Sequence, residues 1–192
     1  MLMTVLTPEH KQTLLDTAFA SIEHSLTHHT PLVVKTEEYA LELQQPHATF
    51  VTLHINRMLR GCIGMLEAIR PLIVDVAQNA HAAAFSDPRF SAMSRSEFDL
   101  LDIHISILNP YMEMQFTSQE DLISQLVVGK DGLILEEGRL YRGTFLPSVW
   151  ESLPDPASFL MQLKQKAGLT PDYWSDTLRI FRYTVDLIPE RE

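Results

Sequence analysis

The sequence predicts an α+β fold in which helices pack on a mainly antiparallel sheet. Two segments have the pattern of β-hairpins, in which a short polar link joins two runs of strand-forming residues. A third segment, residues 101–108, alternates between apolar and polar residues, as a half-buried strand does. Parallel strands need long crossover connections, so two tight hairpins argue against a purely parallel sheet. With 192 residues, 45% of them apolar, the chain is predicted to form one domain.

A long amphipathic helix is predicted at the start of the chain. Thr7 followed by Pro8 matches an N-cap and a first helical position, and apolar residues then recur at helical spacing as far as His28. The recurring residues are Leu14, Leu15, Ala18, Phe19, Ile22 and Leu26. His28 and His29 suit the negative end of a helix dipole. Metal binding by this doublet is disfavoured, because adjacent helical residues point about 100° apart. A short second helix is predicted over 36–43.

The first predicted hairpin consists of strands 48–55 and 58–65 on either side of Asn56-Arg57. Asn-Arg is a weaker turn signal than Asn-Gly, so a loop of two or of three residues is compatible with the sequence. The two loop lengths differ by one position in register. A shift of one residue moves every side chain of a strand to the other face of the sheet.

A helix rich in small residues is predicted to begin at Pro71 and to end before Pro88, because proline disfavours helical conformation in the residue that precedes it. The strand at 101–108 follows. Leu101, Ile103, Ile105 and Ile107 lie on one of its faces, and Asp102, His104 and Ser106 lie on the other.

Four more elements are predicted in the rest of the chain, from capping residues, glycines and apolar periodicity. They are a helix from Ser118 to near Gly129, a hairpin over 133–145, a helix from Asp155 to Gly168 and a strand over 181–187.

Composition excludes several classes of protein. The formal charge is −10, from 15 Lys+Arg and 25 Asp+Glu, so nucleic-acid binding is not predicted. The single cysteine cannot form an internal disulfide. The first six residues lack the pattern of a signal peptide, and no apolar stretch approaches the roughly 20 residues that cross a bilayer. A cytoplasmic protein without a membrane segment is therefore expected.

The cysteine lies in the segment Arg60-Gly61-Cys62-Ile63-Gly64. Glycine weakens a strand and often marks a bulge or the close approach of another group. In a regular strand Arg60 shares the face of Cys62, and a guanidinium beside a thiol favours the thiolate, which is the nucleophile. The alternative is a buried cysteine that acts as a small apolar residue, beside glycines that admit a packed helix. Both interpretations stay open at this point.

A nucleophilic thiol usually needs a base, and His54 on the partner strand is the candidate nearest in sequence. With a two-residue turn His54 faces Leu59, and Cys62 falls on the opposite face of the sheet. With a three-residue loop His54 comes onto the face of the thiol. His81 and His104 are alternatives that the fold would have to bring close.

The polar face that His104 shares with Asp102 and Ser106 is more typical of a solvated sheet surface than of a catalytic site. The histidines are otherwise scattered and lack metal-ligand spacing beside a carboxylate, so no metal is predicted. No phosphate-binding glycine motif is present, and no cofactor is predicted.

Five short segments of the chain, including the one around Cys62, resemble motifs of the AMMECR-one domain family, whose bacterial and archaeal members are called AmmeMemoRadiSam system protein A. Leu59–Gly64 is similar to the hallmark segment of that family, and four further segments agree in order. They are Ala83–Phe90, Gly129–Leu133, Phe145–Trp150 and Lys166–Leu169, the last of which precedes Trp174.

The resemblance implies a two-part α+β domain with a larger and a smaller portion. It also implies association with a Memo-type protein and a radical-SAM enzyme. Many relatives resemble a Leu-Cys-x-Lys-Ala-Gly-Leu pattern where this chain has Leu163-Lys164. A mechanism that requires two cysteines is therefore excluded, and Cys62 would act alone or with an external thiol.

Two hypotheses follow, and whether the chain is an enzyme stays open. In the first, a cleft around Cys62 binds or modifies a small molecule or a residue of a partner. The residues of that cleft would be Cys62 as nucleophile, His54 as base, Arg60 as anion ligand, Gly61 and Gly64 in the hallmark segment, and Asp87 and Arg89 along the approach. In the second, the chain is a non-catalytic adaptor that binds a Memo-type or radical-SAM protein.

Overall fold

The computed structural model describes residues 6–189, which form two compact units. The first unit comprises the chain up to residue 108 together with residues from 186 onward, and the second comprises residues 109–185. Each unit contains a four-stranded antiparallel sheet. The predicted α+β fold, with its larger and smaller portions, is therefore confirmed. Residues 1–5, on which the argument against a signal peptide largely rests, lie outside the described residues.

The first unit packs helices on one face of its sheet, whose strand order is β2-β1-β3-β8. Its elements are α1 (Pro8–His28), α2 (Leu41–Gln44), β1 (Thr49–Ile55), β2 (Met58–Gly64), α3 (Leu72–Phe85), α4 (Arg95–Phe98) and β3 (Leu101–Leu108), with β8 (Val185–Ile188) at the sheet edge. Val51 and Leu53 of β1 and Ile103 and Ile105 of β3 are completely buried in the core beneath α1 and α3. The residues that alternate with these four face away from the helices.

The first helix begins and ends as its sequence predicts. The Thr7 hydroxyl oxygen accepts a hydrogen bond from the backbone N–H of His10 at 3.2 Å, and Pro8 occupies the first turn. At the other end His29 adopts a left-handed conformation with φ 58°, and its N–H donates to the carbonyl of Ser25. The C-terminal role of the His28-His29 doublet is confirmed.

The β1–β2 hairpin resolves the register that the sequence left open. Asn56 and Arg57 form a two-residue turn with φ 52° and 65°, the conformation that suits the right-handed twist of a hairpin. His54 pairs with Leu59, as a two-residue turn requires. A β-bulge then leaves Arg60 as an additional residue, so that Leu53 pairs with Gly61.

The bulge has a large effect on the rest of β2. Thr52 pairs with Cys62, which places the thiol on the outer face of the sheet together with His54. The expectation that a two-residue turn puts Cys62 on the face of Val51 and Leu53 is wrong, because it assumed a regular strand. The side-chain face beyond the turn is set by the bulge and not by the loop length alone.

The second unit forms a separate core around the sheet β4-β7-β5-β6. Its elements are β4 (Met112–Glu113), α5 (Gln119–Ser124), β5 (Gly132–Glu137), β6 (Tyr141–Phe145), α6 (Pro156–Lys166) and β7 (Arg179–Tyr183). The rings of Trp150 and Phe159 stack at 3.8 Å between centroids within this core. Asp155 caps α6, and Gly168 follows it with φ 90°, as predicted.

Three predicted elements differ from the structure. The segment 36–43 forms a 3-10 turn at 36–38 and the short helix α2 in place of one helix, and α5 ends at Ser124 well before Gly129. The last strand is divided into β7 and β8, which belong to different sheets. The alternation of buried and exposed residues predicted through Leu187 does not continue into β8, where Leu187 is 52% exposed and the adjacent Ile188 is buried. In the described part of the chain, no helix has the length and apolar character needed to cross a membrane.

Candidate functional site

The outer face of the first sheet carries the chemistry of the hallmark segment. Thr52 of β1 pairs on one side with Cys62 of β2 and on the other with His104 of β3. In the next row His54 pairs with Asp102. Residues that pair across strands share a face, so Thr52, His54, Cys62, Asp102 and His104 lie together on one face of the sheet, which we call the outer face.

Cys62 is half-buried on the outer face and makes contacts through both its side chain and its backbone. The hydroxyl of Thr52 donates a hydrogen bond to Sγ at 3.3 Å. The backbone N–H of Cys62 donates to Oδ2 of Asp87 at 2.9 Å, and its carbonyl accepts from Nη2 of Arg89 at 3.5 Å. Thr52 was not among the predicted site residues, although its alternation with Val51 and Leu53 indicates the face on which it lies.

Asp87 and Arg89 form a tight pair beside the thiol. Asp87 is 4% exposed, and its carboxylate accepts from Nε of Arg89 at 3.0 Å, from Nη2 at 2.7 Å and from the Arg89 backbone N–H at 3.1 Å. These hydrogen bonds from Arg89, with a further one from the backbone N–H of Cys62, lower the pKa of Asp87 to about 2. The side chain of Arg89 is 54% exposed. The loop thus presents an accessible guanidinium whose position is held by a buried carboxylate.

The guanidinium of Arg89 also interacts electrostatically with the thiol of Cys62. The hydrogen bond to Asp87 raises the pKa of Arg89, and the negative charge of the Cys62 thiolate contributes to the same rise. Coulombic stabilisation between two groups is mutual. Arg89, which the sequence places along the approach, is therefore a cation whose charge interacts with that of Cys62.

Arg60, the predicted anion ligand, is engaged elsewhere. Its Nε donates to Oε1 of Glu97 at 2.7 Å, and its Nη2 donates to the carbonyl of Ser91 at 2.9 Å. The side chain is only 10% exposed, and its guanidinium lies 5.6 Å from the centroid of the Phe90 ring. The expectation that Arg60 shares the face of Cys62 required a regular strand, and the bulge at Arg60 removes that condition.

Both glycines of the hallmark segment occupy positions where a side chain would collide with neighbouring backbone. A Cβ on Gly61 would lie 2.1 Å from the carbonyl oxygen of Ala83, so the glycine admits the backbone of α3. A Cβ on Gly64 would lie 2.2 Å from the carbonyl oxygen of Thr49. The interpretation that the glycines admit a packed helix holds at Gly61, while the cysteine between them faces the other way.

The predicted base, His54, lies on the face of the thiol but in the neighbouring row. It is a diagonal neighbour of Cys62 in the pairing scheme, and such neighbours lie about 7–8 Å apart. Its ring meets that of His104 edge to face at 5.2 Å between centroids. His81 is placed in a different environment, because its Nδ1 contacts Oγ of Ser25 at 2.8 Å on the helical side of the unit.

In the second unit, the glycine-containing segment at 129–132 and the lysine at position 164 both have structural roles. The Gly129–Gly132 segment is a turn in which Asp131 accepts from the N–H of Val127 at 2.8 Å and the indole of Trp150 donates to the Asp131 carbonyl at 2.7 Å. Lys164, which the sequence pattern compares with the second cysteine of relatives, is 1% exposed and donates to Oε1 of Gln119 at 2.5 Å. Burial lowers the pKa of Lys164.

Asp87 makes the first unit sensitive to acid. Because its pKa is about 2 in the folded protein against an ordinary 3.8, ionised Asp87 stabilises the fold above pH 4, and this contribution disappears as the pH falls towards 2. Its size is about 2 kcal/mol. We expect Asp87→Asn to lower the free energy of unfolding at pH 7 by at least this amount and to bring a smaller loss at pH 2.5. Urea denaturation at both pH values measures the difference, and an equal loss at both would contradict the assignment.

Comparisons with known proteins agree with the resemblance of the motifs. The profile of the AMMECR1 family matches residues 15–188. A protein of Sulfurisphaera tokodaii is 46% identical over 117 residues, which are 60% of this chain and 51% of that protein. Protein MJ0810 of Methanocaldococcus jannaschii is 35% identical over 164 residues, 81% of this chain and 79% of that protein. The chain thus spans about half the length of the first relative and more of the second.

A solved structure shows the same fold. The crystal structure of the uncharacterized protein PH0010 from Pyrococcus horikoshii is similar with a TM-score of 0.86 and 32% sequence identity. The similarity covers 95% of this chain and 92% of that one. Together with the match of the family profile over nearly the whole chain, this establishes that the chain belongs to the AMMECR1 family.

Proposed function

We propose that the outer face of the first unit binds a small anionic molecule, or an acidic group of a partner protein, and that Cys62 attacks it as a nucleophile or holds it as a covalent anchor. The observation that carries this proposal is the carboxylate of Asp87. It accepts hydrogen bonds from the backbone N–H of Cys62 and from the guanidinium of Arg89, and so holds a cation beside the thiol.

Arg89 and Thr52 favour the ionised form of the thiol, whereas the negative charge of Asp87 opposes it. A cation near sulfur stabilises the thiolate, and Arg89 supplies it. A hydrogen bond to the charged form of a group also favours that form, and the hydroxyl of Thr52 donates one to Sγ. In the covalent step the sulfur forms a bond to an electrophilic carbon of the ligand, and the leaving group departs with the electron pair. His54 is the group that we propose to take up the thiol proton, through a water molecule or the ligand.

Arg89 would also select the ligand. About half of its side chain is exposed, and its Asp87 contacts leave part of a five-donor group available for a second anion. The overall charge of −10 repels anions at long range, so this cation would act locally on a ligand that has already reached the outer face. Arg60, closed off by Glu97, has no part in this proposal.

Two alkylating reagents of equal shape and different charge test the proposal. Because Cys62 is the only thiol, its modification by iodoacetate and by iodoacetamide can be followed by mass spectrometry without interference. We expect the ratio of the iodoacetate rate to the iodoacetamide rate to fall at least threefold in Arg89→Met. Arg95→Met is the matched control, since Arg95 is an exposed arginine that pairs with Glu23 at 3.0 Å. A ratio that is the same in wild type and Arg89→Met would refute the role of Arg89.

The adaptor hypothesis predicts a different result. If the chain only docks on a Memo-type or radical-SAM protein, Cys62→Ser binds such a partner as well as wild type does and retains full function in the cell. We propose those two proteins as the first partners to test by co-purification. The nucleophile proposal requires a thiol that stays reduced, as in the cytoplasm, and predicts loss of function in a folded Cys62→Ser variant.

A further inference from the structure

We infer that His54, Asp102 and His104 form a binding site for a divalent transition-metal ion on the outer face. One ligand atom from each of the three residues lies within 4.8 Å of the ligand atoms of the other two. Nε2 of His104 and Oδ1 of Asp102 are 3.2 Å apart. The inference does not rest on the reactivity of Cys62, because the thiol is outside this group of ligands, and a His54 that binds a metal ion would not also act as the base for that thiol.

The sheet brings the three ligands together. Asp102 and His104 are two residues apart on β3, so their side chains leave the strand on the same face. His54 pairs directly with Asp102 on the neighbouring strand, which places its imidazole on that face as well. No long loop has to be ordered to form the site, because all three positions belong to paired strands.

The separations suit a metal after a small contraction. Metal–ligand bonds of about 2.0–2.1 Å in a tetrahedron set the ligand atoms roughly 3.3 Å apart. The pair Asp102–His104 already has this separation at 3.2 Å. His54 would have to approach by at most about 1.5 Å, the difference between 4.8 Å and roughly 3.3 Å, which a change in the orientation of its ring provides. Two imidazoles and one carboxylate leave at least one coordination position open towards the solvent.

The ligand types select the class of ion. Calcium and magnesium prefer shells made of oxygen atoms, whereas imidazole nitrogen suits zinc, iron, cobalt and nickel. Two histidines and one carboxylate form a set found in catalytic zinc sites and in non-haem iron sites. The side chains of Asp102 and His104 are 29% and 35% exposed, although Oδ1 of Asp102 itself is buried.

An ion pair between Asp102 and His104 explains only part of this arrangement. It accounts for their contact, and the ring of His54 lies close to the same point, 5.2 Å from that of His104 between centroids. A metal ion would give all three side chains a common partner. Positions 54, 102 and 104 follow no short spacing motif, so the sequence by itself does not predict a metal here.

Co²⁺ is the probe for this site, because its visible d–d absorption reports the number and kind of ligands. We expect the full-length protein to bind one equivalent of Co²⁺ and to release it to Zn²⁺. Loss of an outer-shell partner alone weakens metal sites about 10–100-fold. His54→Ala and His104→Ala, which remove ligands, should each weaken binding at least tenfold by isothermal titration with Zn²⁺.

Two control variants separate this site from its competitors. His24 and His28 lie one turn apart on α1 with ring centroids 4.2 Å apart, and the double variant His24→Ala/His28→Ala removes this pair. Cys62→Ser removes the thiol. Neither control should change the affinity more than twofold. Loss of binding in a control, or full binding in His54→Ala and His104→Ala, would overturn the inference. If an alanine variant fails to fold, X-ray absorption of Co²⁺-loaded wild type decides, because the site requires two imidazole ligands and no sulfur.

Discussion

Replacing Asp75 with alanine is expected to lower the free energy of unfolding by about 3 kcal/mol, because it removes the buried partner of an ion pair whose other member, Arg70, is 24% exposed. Asp75 is completely buried on α3. Its carboxylate accepts from Nε of Arg70 at 2.8 Å, from the hydroxyl and backbone N–H of Thr49 at 2.7 and 3.0 Å, and from the amide of Asn79 at 2.9 Å. Alanine would leave these donors without their acceptor.

An exposed carboxylate provides the comparison for Asp75. Glu38 pairs with Lys35 at 3.2 Å, and both side chains are more than 60% exposed. Such pairs contribute about 0–1 kcal/mol, so Glu38→Ala should lie in that range. Urea denaturation at pH 7 measures both variants. If Asp75→Ala costs no more than Glu38→Ala, the network around α3 and β1 does not carry the stability that we assign to it.

Replacing Gly61 with alanine should cost about 3 kcal/mol or more, the upper end of the range for an overpacked interior. The added Cβ would lie 2.1 Å from the carbonyl oxygen of Ala83 and 3.0 Å from its carbonyl carbon. Both atoms belong to the backbone of α3, so no flexible side chain can move aside. The helix or the β2 strand would have to shift as a whole, and Cys62 would shift with the strand.

Gly138 is the matched control for this substitution. A Cβ there has no atom within 4 Å, although the residue has φ 58°, and a left-handed conformation costs alanine about 1–2 kcal/mol. Thermal and urea denaturation of Gly61→Ala and Gly138→Ala thus compare a steric with a conformational cost. Equal losses in the two variants would show that α3 does not press on β2 at this point.

Local signals in the sequence account for most of the fold. Thr7-Pro8 predicts the start of α1, and the alternation over 101–108 predicts β3 with its correct faces, because each signal acts through neighbours on the same element. The division of the last strand into β7 and β8, by contrast, is not determined by local sequence signals. Whether Thr184 continues one strand or separates two depends on which sheet each half joins, and that is decided by distant residues.

The candidate site could be predicted only in its parts. Cys62 stood out because glycines flank it, but its contacts with Asp87 cross 25 positions in the chain. The choice of Arg60 over Arg89 as the cation assumed a regular strand, and a bulge cannot be located from residue types alone. His54 lies next to Asp102 and His104 only because β1 pairs with β3. The periodicity of the sequence does not show which strands pair, so this proximity could not be predicted.

The extra residue in β2 has a consequence for how this hallmark segment tolerates change in length. Cys62 reaches the outer face because β2 has one residue more than β1 between the turn and the thiol. Deleting Arg60 would restore regular pairing and still leave Cys62 opposite Thr52 on the outer face, with Gly-Cys-Ile-Gly unaltered. A substitution and a deletion at this codon would then both remove the pair with Glu97, and neither would move the thiol from its partner Thr52.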